Sequence, residues 1–175
     1  MIEVESKYWS PGNSAVVATL IKLGAKRLSD LTMEDIYFSH PSRELGKTDE
    51  AVRLRKKEDG AELTYKGPRI RTGTAKAREE ITVKVDDALS AQRILERLGF
   101  KEAYVVAKKR ATYQLDKLRV DVDVVEDLGE FVELEVLTES PERVTSLLEL
   151  AQVELNLSKL EPKTYLELLI DKKGK

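Results

Sequence analysis

The sequence predicts an α+β fold in which eight-odd antiparallel strands can close into a barrel, with helices packed on the outside. Two observations carry this reading. Eight segments alternate apolar and polar residues with period two, and four segments carry apolar stripes at helical spacing. In addition, one face of nearly every strand is filled by charged residues whose signs are segregated along the chain. The helical stripes need a sheet face to cover, and the apolar strand faces supply it. The charged faces must then point together elsewhere, and the interior of a barrel is such a place. An open antiparallel sheet with one wet face shows the same alternation, so the pattern alone leaves both arrangements standing.

The strands are expected at 2–9, 34–39, 51–58, 61–66, 76–85, 102–114, 118–126 and 130–138. Turn signals separate several of them, at Asp59-Gly60, Gly67-Pro68 and Leu128-Gly129-Glu130, and 51–66 reads as one hairpin turning at Asp59-Gly60. Helices are expected near 13–24, 87–99 and 141–151, with a shorter one over 163–170. Asp86 and Asp87 precede the second helix and Gly99 ends it; Pro141 falls in the first turn of the third, after Ser140. The first two helices end alike, Leu23-Gly24-Ala25-Lys26 and Leu98-Gly99-Phe100-Lys101, which reads as a weak internal duplication of a strand–helix–strand unit. Residues 67–75 form a basic, glycine-containing loop, a lid over a site or a plain basic loop. No domain boundary interrupts the pattern, so 1–175 is expected to be one domain.

Composition narrows the function. The chain has 175 residues, 30 Lys+Arg against 32 Asp+Glu, a net charge of −2 and no cysteine. Near-neutrality argues against a general polyanion binder, and nucleic acid is not expected as a partner. The absence of cysteine excludes disulfides, thiolate metal sites and a Cys nucleophile, and a single histidine, His40, excludes multi-histidine sites. No apolar run approaches the roughly 20 residues of a membrane span, and the acidic, alternating N-terminus is unlike a signal peptide. The expected setting is cytoplasmic, away from membranes.

Residues i, i+2 and i+4 of a strand share a face. Glu3, Glu5 and Lys7 therefore stand together, as do Arg53, Arg55 and Lys57; Thr64 and Lys66; Arg78, Glu80, Thr82 and Lys84; Lys108 and Arg110; Arg119, Asp121 and Asp123; and Glu133 and Glu135. Clustered arginines and lysines need an anion, and clustered carboxylates need a cation, because like charges packed at low dielectric repel. Guanidinium forks and ammonium groups suit phosphate oxygens. All-oxygen carboxylate donors suit a hard cation such as Mg²⁺ or Mn²⁺. A polyphosphate carrying a divalent metal answers both needs at once.

The same residues resemble a known family. Glu3-Val4-Glu5-Ser6-Lys7 resembles the E-x-E-x-K signature of the CYTH domain, or triphosphate tunnel metalloenzyme, superfamily. The likeness continues in order through Asp35-Ile36-Tyr37-Phe38, Glu50-Ala51-Val52-Arg53-Leu54-Arg55, Leu63-Thr64-Tyr65-Lys66-Gly67-Pro68, Arg78-Glu79-Glu80 and Lys108-Lys109-Arg110. It ends with Asp123 to Gly129, Phe131-Val132-Glu133-Leu134-Glu135 and Thr164-Tyr165-Leu166-Glu167-Leu168-Leu169. Length, the D-x-Y-F segment with Ser39-His40-Pro41, and the K-G-P turn are most similar to the class IV adenylyl cyclase branch.

The resemblance implies a closed antiparallel eight-stranded barrel whose tunnel binds a triphosphate, and an Mg²⁺- or Mn²⁺-dependent enzyme converting ATP to cyclic AMP and pyrophosphate. The alternative is a hydrolase of tripolyphosphate, nucleoside triphosphate or thiamine triphosphate. A rival of another class is a non-catalytic module for polyphosphate or an RNA 5′-triphosphate. Carried over residue by residue, Lys7, Arg53, Arg55, Lys66, Arg78, Lys108, Arg110 and Arg119 would hold phosphates. Glu3, Glu5, Asp121, Asp123, Glu133 and Glu135 would hold metal, with Glu80 a further candidate, and Glu3, Glu5 and Lys7 would serve catalysis. Arg119 could instead pair with Asp121. Tyr37 and Tyr165 read as packing residues, and a homodimer is left open.

Overall fold

The computed structural model describes residues 2–58, 60–72, 75–139 and 144–174. Its elements run β1 (Ile2–Trp9), α1 (Asn13–Lys22), β2 (Lys26–Ser39), β3 (Ala51–Lys57), β4 (Gly60–Lys66), β5 (Ile70–Thr72), β6 (Ala75–Val85), α2 (Ala88–Arg97), β7 (Lys101–Leu115), β8 (Leu118–Val125), β9 (Gly129–Thr138), α3 (Thr145–Glu154), β10 (Lys159–Leu160) and α4 (Tyr165–Lys173). Eight strands pair in the order β1-β9-β8-β7-β2-β3-β4-β6, and β6 returns to β1 through Glu3↔Arg78 and Val4↔Ala77. Every pairing is antiparallel. The sheet is thus a closed eight-stranded barrel with its helices outside, as expected. β10 and β5 are short additions at β1 and β6.

Closure sorts the side chains by parity. The outward faces are apolar where helices cover them. Val16 and Leu20 of α1 and Leu148 and Ala151 of α3 pack on Val4, Tyr8, Val120, Val122, Val132 and Leu134. Ala91 and Leu95 of α2 pack on Ile36, Phe38, Leu54 and Ala61. The inward faces hold the charges, except at one end. There Val106, Val125 and Phe131 turn inward and meet Tyr165 and Leu169 of α4, with Trp9 and Tyr37 alongside. α4 therefore stops that end of the barrel, and the tunnel is a cup.

The helix ends explain the repeated Leu-Gly motif. Gly24 (φ 80°) and Gly99 (φ 95°) take the left-handed conformation that side chains disfavour. The next amide then folds back, Ala25 N–H to Leu20 O and Phe100 N–H to Leu95 O. At the start of α2 the Asp87 carboxylate accepts from the Leu89 and Ser90 amides. α4 opens on a capping box in which Thr164 accepts from the Glu167 amide and Glu167 accepts from the Thr164 amide.

Four expectations change. β2 begins at Lys26, not 34; its first half pairs only with β7 and carries a bulge between Arg27 and Ser29, which breaks the period. Part of the expected 67–75 loop is strand β5, paired with β6. A further strand, β10, lies in a stretch with no alternation long enough to read. α3 continues to Glu154, beyond 151. The expected start of that helix at Pro141, and Asp59 of the β3–β4 turn, lie outside the described residues. Among those described, no helix is long and apolar enough to cross a membrane.

Leu54 is fully buried under α2, while its neighbours Arg53 and Arg55 point the other way. Leu54→Ala is expected to destabilise the fold by about 2–5 kcal/mol, read as a lower denaturant midpoint at unchanged slope.

Candidate functional site

The cup is a cavity of about 450 Å³. Its wall includes Glu3, Glu5 and Lys7 from β1, Arg53 and Arg55 from β3, Lys66 from β4, Arg78 from β6, Lys108 and Arg110 from β7, Arg119 from β8, and Glu133 and Glu135 from β9. Twelve of the fourteen residues singled out in the sequence thus converge on one space. The remaining two, Asp121 and Asp123, are fully buried behind Arg110.

The cations fall into two groups by their partners. Arg110 is bound on all sides. Its Nε and Nη2 donate to Asp123 (2.7 and 2.5 Å), its Nη1 to Asp121 (2.5 Å), and its Nη2 also to Glu133 (2.5 Å). Arg55 forks onto Asp35 at 2.5 and 2.7 Å. Both fixed pairs resist exchange, since such charge-assisted forks are strong at low dielectric.

The second group is loosely held. Lys7 stands 3.7 Å from Glu133, Lys108 3.5 Å from Asp35, and Arg119 3.9 Å from Glu135 although its Nε reaches Asp121 at 3.2 Å. Arg53 donates to Thr64 at 3.3 Å, lies 3.9 Å from Asp35, and its buried Nε has no partner among the described residues. Among the described residues Arg78 donates only to neutral carbonyls, of Gly67 (2.9 Å from Nε) and Asp49 (2.9 Å from Nη2). Lys66, unlike these, is closely paired with Glu80.

The carboxylates divide in the same way. Against the effect of burial, Lys108, Arg53 and Arg55 hold Asp35 well below the usual range, and Arg110, Lys7 and Lys108 do the same for Glu133. Glu3 is pushed up to about 8, first by burial, then by Glu135 and Glu5. Glu135 is raised too, chiefly by burial. Glu3 and Glu135 therefore lie where burial and neighbouring carboxylates outweigh the cations near them, Lys66 and Arg119. A buried carboxyl of this kind marks a place where a cation would bind favourably. Lys108 moves down to about 8, through burial and then Arg110.

Several residues of the site were not singled out from the sequence. Asp35, the shared partner of Arg53, Arg55 and Lys108, was visible as the one acid of its strand face, at inward parity with Tyr37. Tyr37 lines the cavity, with its hydroxyl pushed up to about 12 by burial and then Asp35. Glu62 also lines the wall and pairs with Lys57 at 2.5 Å. Arg69, in the loop expected to draw in anions, is instead committed. It forks onto Glu167 of α4 at 3.0 and 2.8 Å, and its Nε reaches Asp49 at 2.8 Å. Only the fold brings those two acids, 118 residues apart, to one guanidinium.

The sequence matches the family profile described as the CYTH domain over residues 1–167. A Methanocaldococcus jannaschii protein named as a candidate adenylate cyclase is 39% identical over 96% of this chain and 98% of its own. Adenylate cyclase CyaB of Aeromonas hydrophila is 28% identical over 93% of this chain and 86% of its own. Among solved structures, the PH1819 protein of Pyrococcus horikoshii superposes with a TM-score of 0.85 at 35% identity, covering 97% of this chain and 99% of that one. With its closed barrel, its inward charges and these likenesses, the chain belongs to the CYTH domain family.

Proposed function

We propose that the protein binds a triphosphate-bearing substrate in the cup and, with a divalent cation, promotes attack at one of its phosphorus atoms. The first reading is conversion of ATP to cyclic AMP and pyrophosphate. One observation carries it: among the described residues the buried Arg53 and Arg78 guanidiniums lack carboxylate hydrogen bonds, in the same cavity where burial, then Glu135 and Glu5, push Glu3 up to about 8. An anion and a cation arriving together answer both deficits. The adenylate cyclase names of two relatives support ATP as the substrate.

In this reading Lys7, Arg53, Lys66, Arg78, Lys108 and Arg119 take the phosphate oxygens. Arg55 and Arg110, fixed by Asp35 and by Asp121, Asp123 and Glu133, shape the wall and add to its field. The donors of the acidic cluster are all oxygens, which fits Mg²⁺ or Mn²⁺. Among the described residues no three or more His, Cys, Asp or Glu side chains are gathered so as to hold an ion by themselves. Mg²⁺ is commonly bound by one or two carboxylates completed by substrate phosphates, and Glu3, Glu5 and Glu135 would supply the carboxylates. When bound, the ion would neutralise phosphate charge and favour ionisation of the attacking hydroxyl. In the cyclase reaction the ribose 3′-oxygen forms a bond to the α-phosphorus, the bond to the β-phosphate bridge oxygen breaks, and pyrophosphate leaves. The chain's part is to fix the three phosphates, spread their charge over fixed dipoles and exclude water at the stopped end.

A second reading is hydrolysis of a triphosphate. It is favoured by the packing of the aromatic residues at the stopped end. Phe131 lies 4.4 Å from Trp9, tilted, and 5.0 Å from Tyr165, edge to face, so these rings are packed against one another. Incubation with ATP or tripolyphosphate, each with Mg²⁺ or Mn²⁺, separates the readings. Cyclic AMP with pyrophosphate supports the first, orthophosphate alone the second, and no turnover of either substrate overturns both.

Two variants test the assignment. Arg53→Gln should weaken tripolyphosphate binding roughly 10–100-fold by calorimetry, the scale of one or two charge-assisted hydrogen bonds; unchanged affinity would remove Arg53 from the site. Glu3 provides a pH test. Its folded value of about 8 exceeds 4.5, so the folded chain holds an extra proton between those limits and loses stability as pH rises through them. In EDTA, Glu3→Gln should therefore melt roughly 5 °C or more above wild type at pH 8.5 and level with it near pH 4.5. It should also lose the stabilisation that Mn²⁺ gives wild type.

A further inference from the structure

We infer that Tyr165, the first residue of α4, is a positioning residue for substrate: its ring holds the Lys7 and Lys108 ammonium groups as a matched pair facing the cavity. The inference rests on the triphosphate reading and names how the stopped end of the cup would grip its ligand.

The geometry is specific. Lys7 Nζ lies 4.2 Å and Lys108 Nζ 5.0 Å from the centroid of the Tyr165 ring. Both contacts fall within the range of a cation over an aromatic face. Both lysines are more than nine-tenths buried, and both line the cavity. Their carboxylate neighbours, Glu133 at 3.7 Å and Asp35 at 3.5 Å, are beyond good hydrogen-bond distance. Each ammonium has an acid within reach that it does not fully engage. The electron-rich ring that both approach competes with that acid for each ammonium and keeps the ion pair long. Were the face removed, Lys7 could close on Glu133 and Lys108 on Asp35. An incoming phosphate would then have to break two complete pairs.

The ring itself is held from three sides. Its hydroxyl donates to Asp123 at 2.8 Å, the same carboxylate that fixes Arg110. Its edge meets Phe131 at 5.0 Å. The helix that carries it is seated by Leu169 in the apolar plug and by the Arg69 fork on Glu167. A residue 158 positions beyond Lys7 in the chain thereby sets the aim of two lysines on separate strands. A packing role alone would require the ring's bulk and not its charge distribution, and this difference can be measured.

Tyr165→Phe keeps the ring and loses the hydroxyl. Tyr165→pentafluorophenylalanine keeps nearly the same shape but reverses the charge on the ring face, so it tests the face without emptying the plug. Tripolyphosphate binding is measured by calorimetry in EDTA, and KM and kcat with Mn²⁺ on whichever triphosphate is turned over. The pentafluoro form should bind about tenfold more weakly than Tyr165→Phe and show the loss in KM with little change in kcat. Adding Lys7→Met should cost less affinity in the pentafluoro background than in the Tyr165→Phe background. Equal affinity of the two ring variants, or equal cost of Lys7→Met in both, overturns the inference and leaves the triphosphate reading intact. Failure of the wild-type protein to bind tripolyphosphate overturns the triphosphate reading, and this inference with it.

Discussion

A closed barrel lined with ionic side chains must balance charge inside itself. Charges buried in its wall are poorly screened, and a buried ion without a partner is strongly unfavourable. The structure meets this constraint at Arg110, whose guanidinium is saturated by three carboxylates from β8 and β9. A second centre, Asp35, gathers Arg55, Arg53 and Lys108 from β3 and β7. These knots tie neighbouring strands through their side chains as well as their backbones, and they fix which charges remain available. What they leave over is informative: among the described residues Arg53 and Arg78 have no carboxylate hydrogen bond, while Glu3 is buried beside Glu135 and Glu5.

Much of this was legible because strand parity is a strict rule. Once Glu3, Glu5 and Lys7 share a face, and Arg53 and Arg55 share another, only a common interior or a common wet surface can receive them. Parity does not say which, and it cannot report who pairs with whom across the barrel. Asp121, Asp123 and Glu133 have the same sequence pattern as Glu3, Glu5 and Glu135. The register sets Asp123 opposite Arg110 and Glu133 opposite Lys7, but it equally sets Glu3 opposite Arg78 and Glu135 opposite Arg119, so it is the side-chain geometry, a saturated Arg110 against an Arg78 turned to carbonyls, that tells the acids apart.

Other features were hidden for physical reasons. The first half of β2 is exposed or half-buried on both sides and bulged, so its strand character comes from pairing with β7 and not from its own pattern. β10 is two residues long and owes its existence to the free edge of β1. Tyr165 was read as packing, which its contacts with Phe131 support; its second surface, turned to Lys7 and Lys108, depends on where a helix from the far end of the sequence comes to rest. Arg69 gave the signal of a basic loop and is in fact neutralised by acids brought from afar.

The pairing of β1 has a consequence for how the molecule is made. This strand joins β9 along its whole length, β6 over its first half and β10 at its end. Its main partner begins more than a hundred residues further along the chain. Such distant contacts require closing large loops before any reward is gained, which slows folding. The strand, with Val4 and Tyr8 on one side and Glu3, Glu5 and Lys7 on the other, must wait for both β6 and β9 before its pairing is complete. Its alternating charges keep it soluble and discourage association with other chains during that wait.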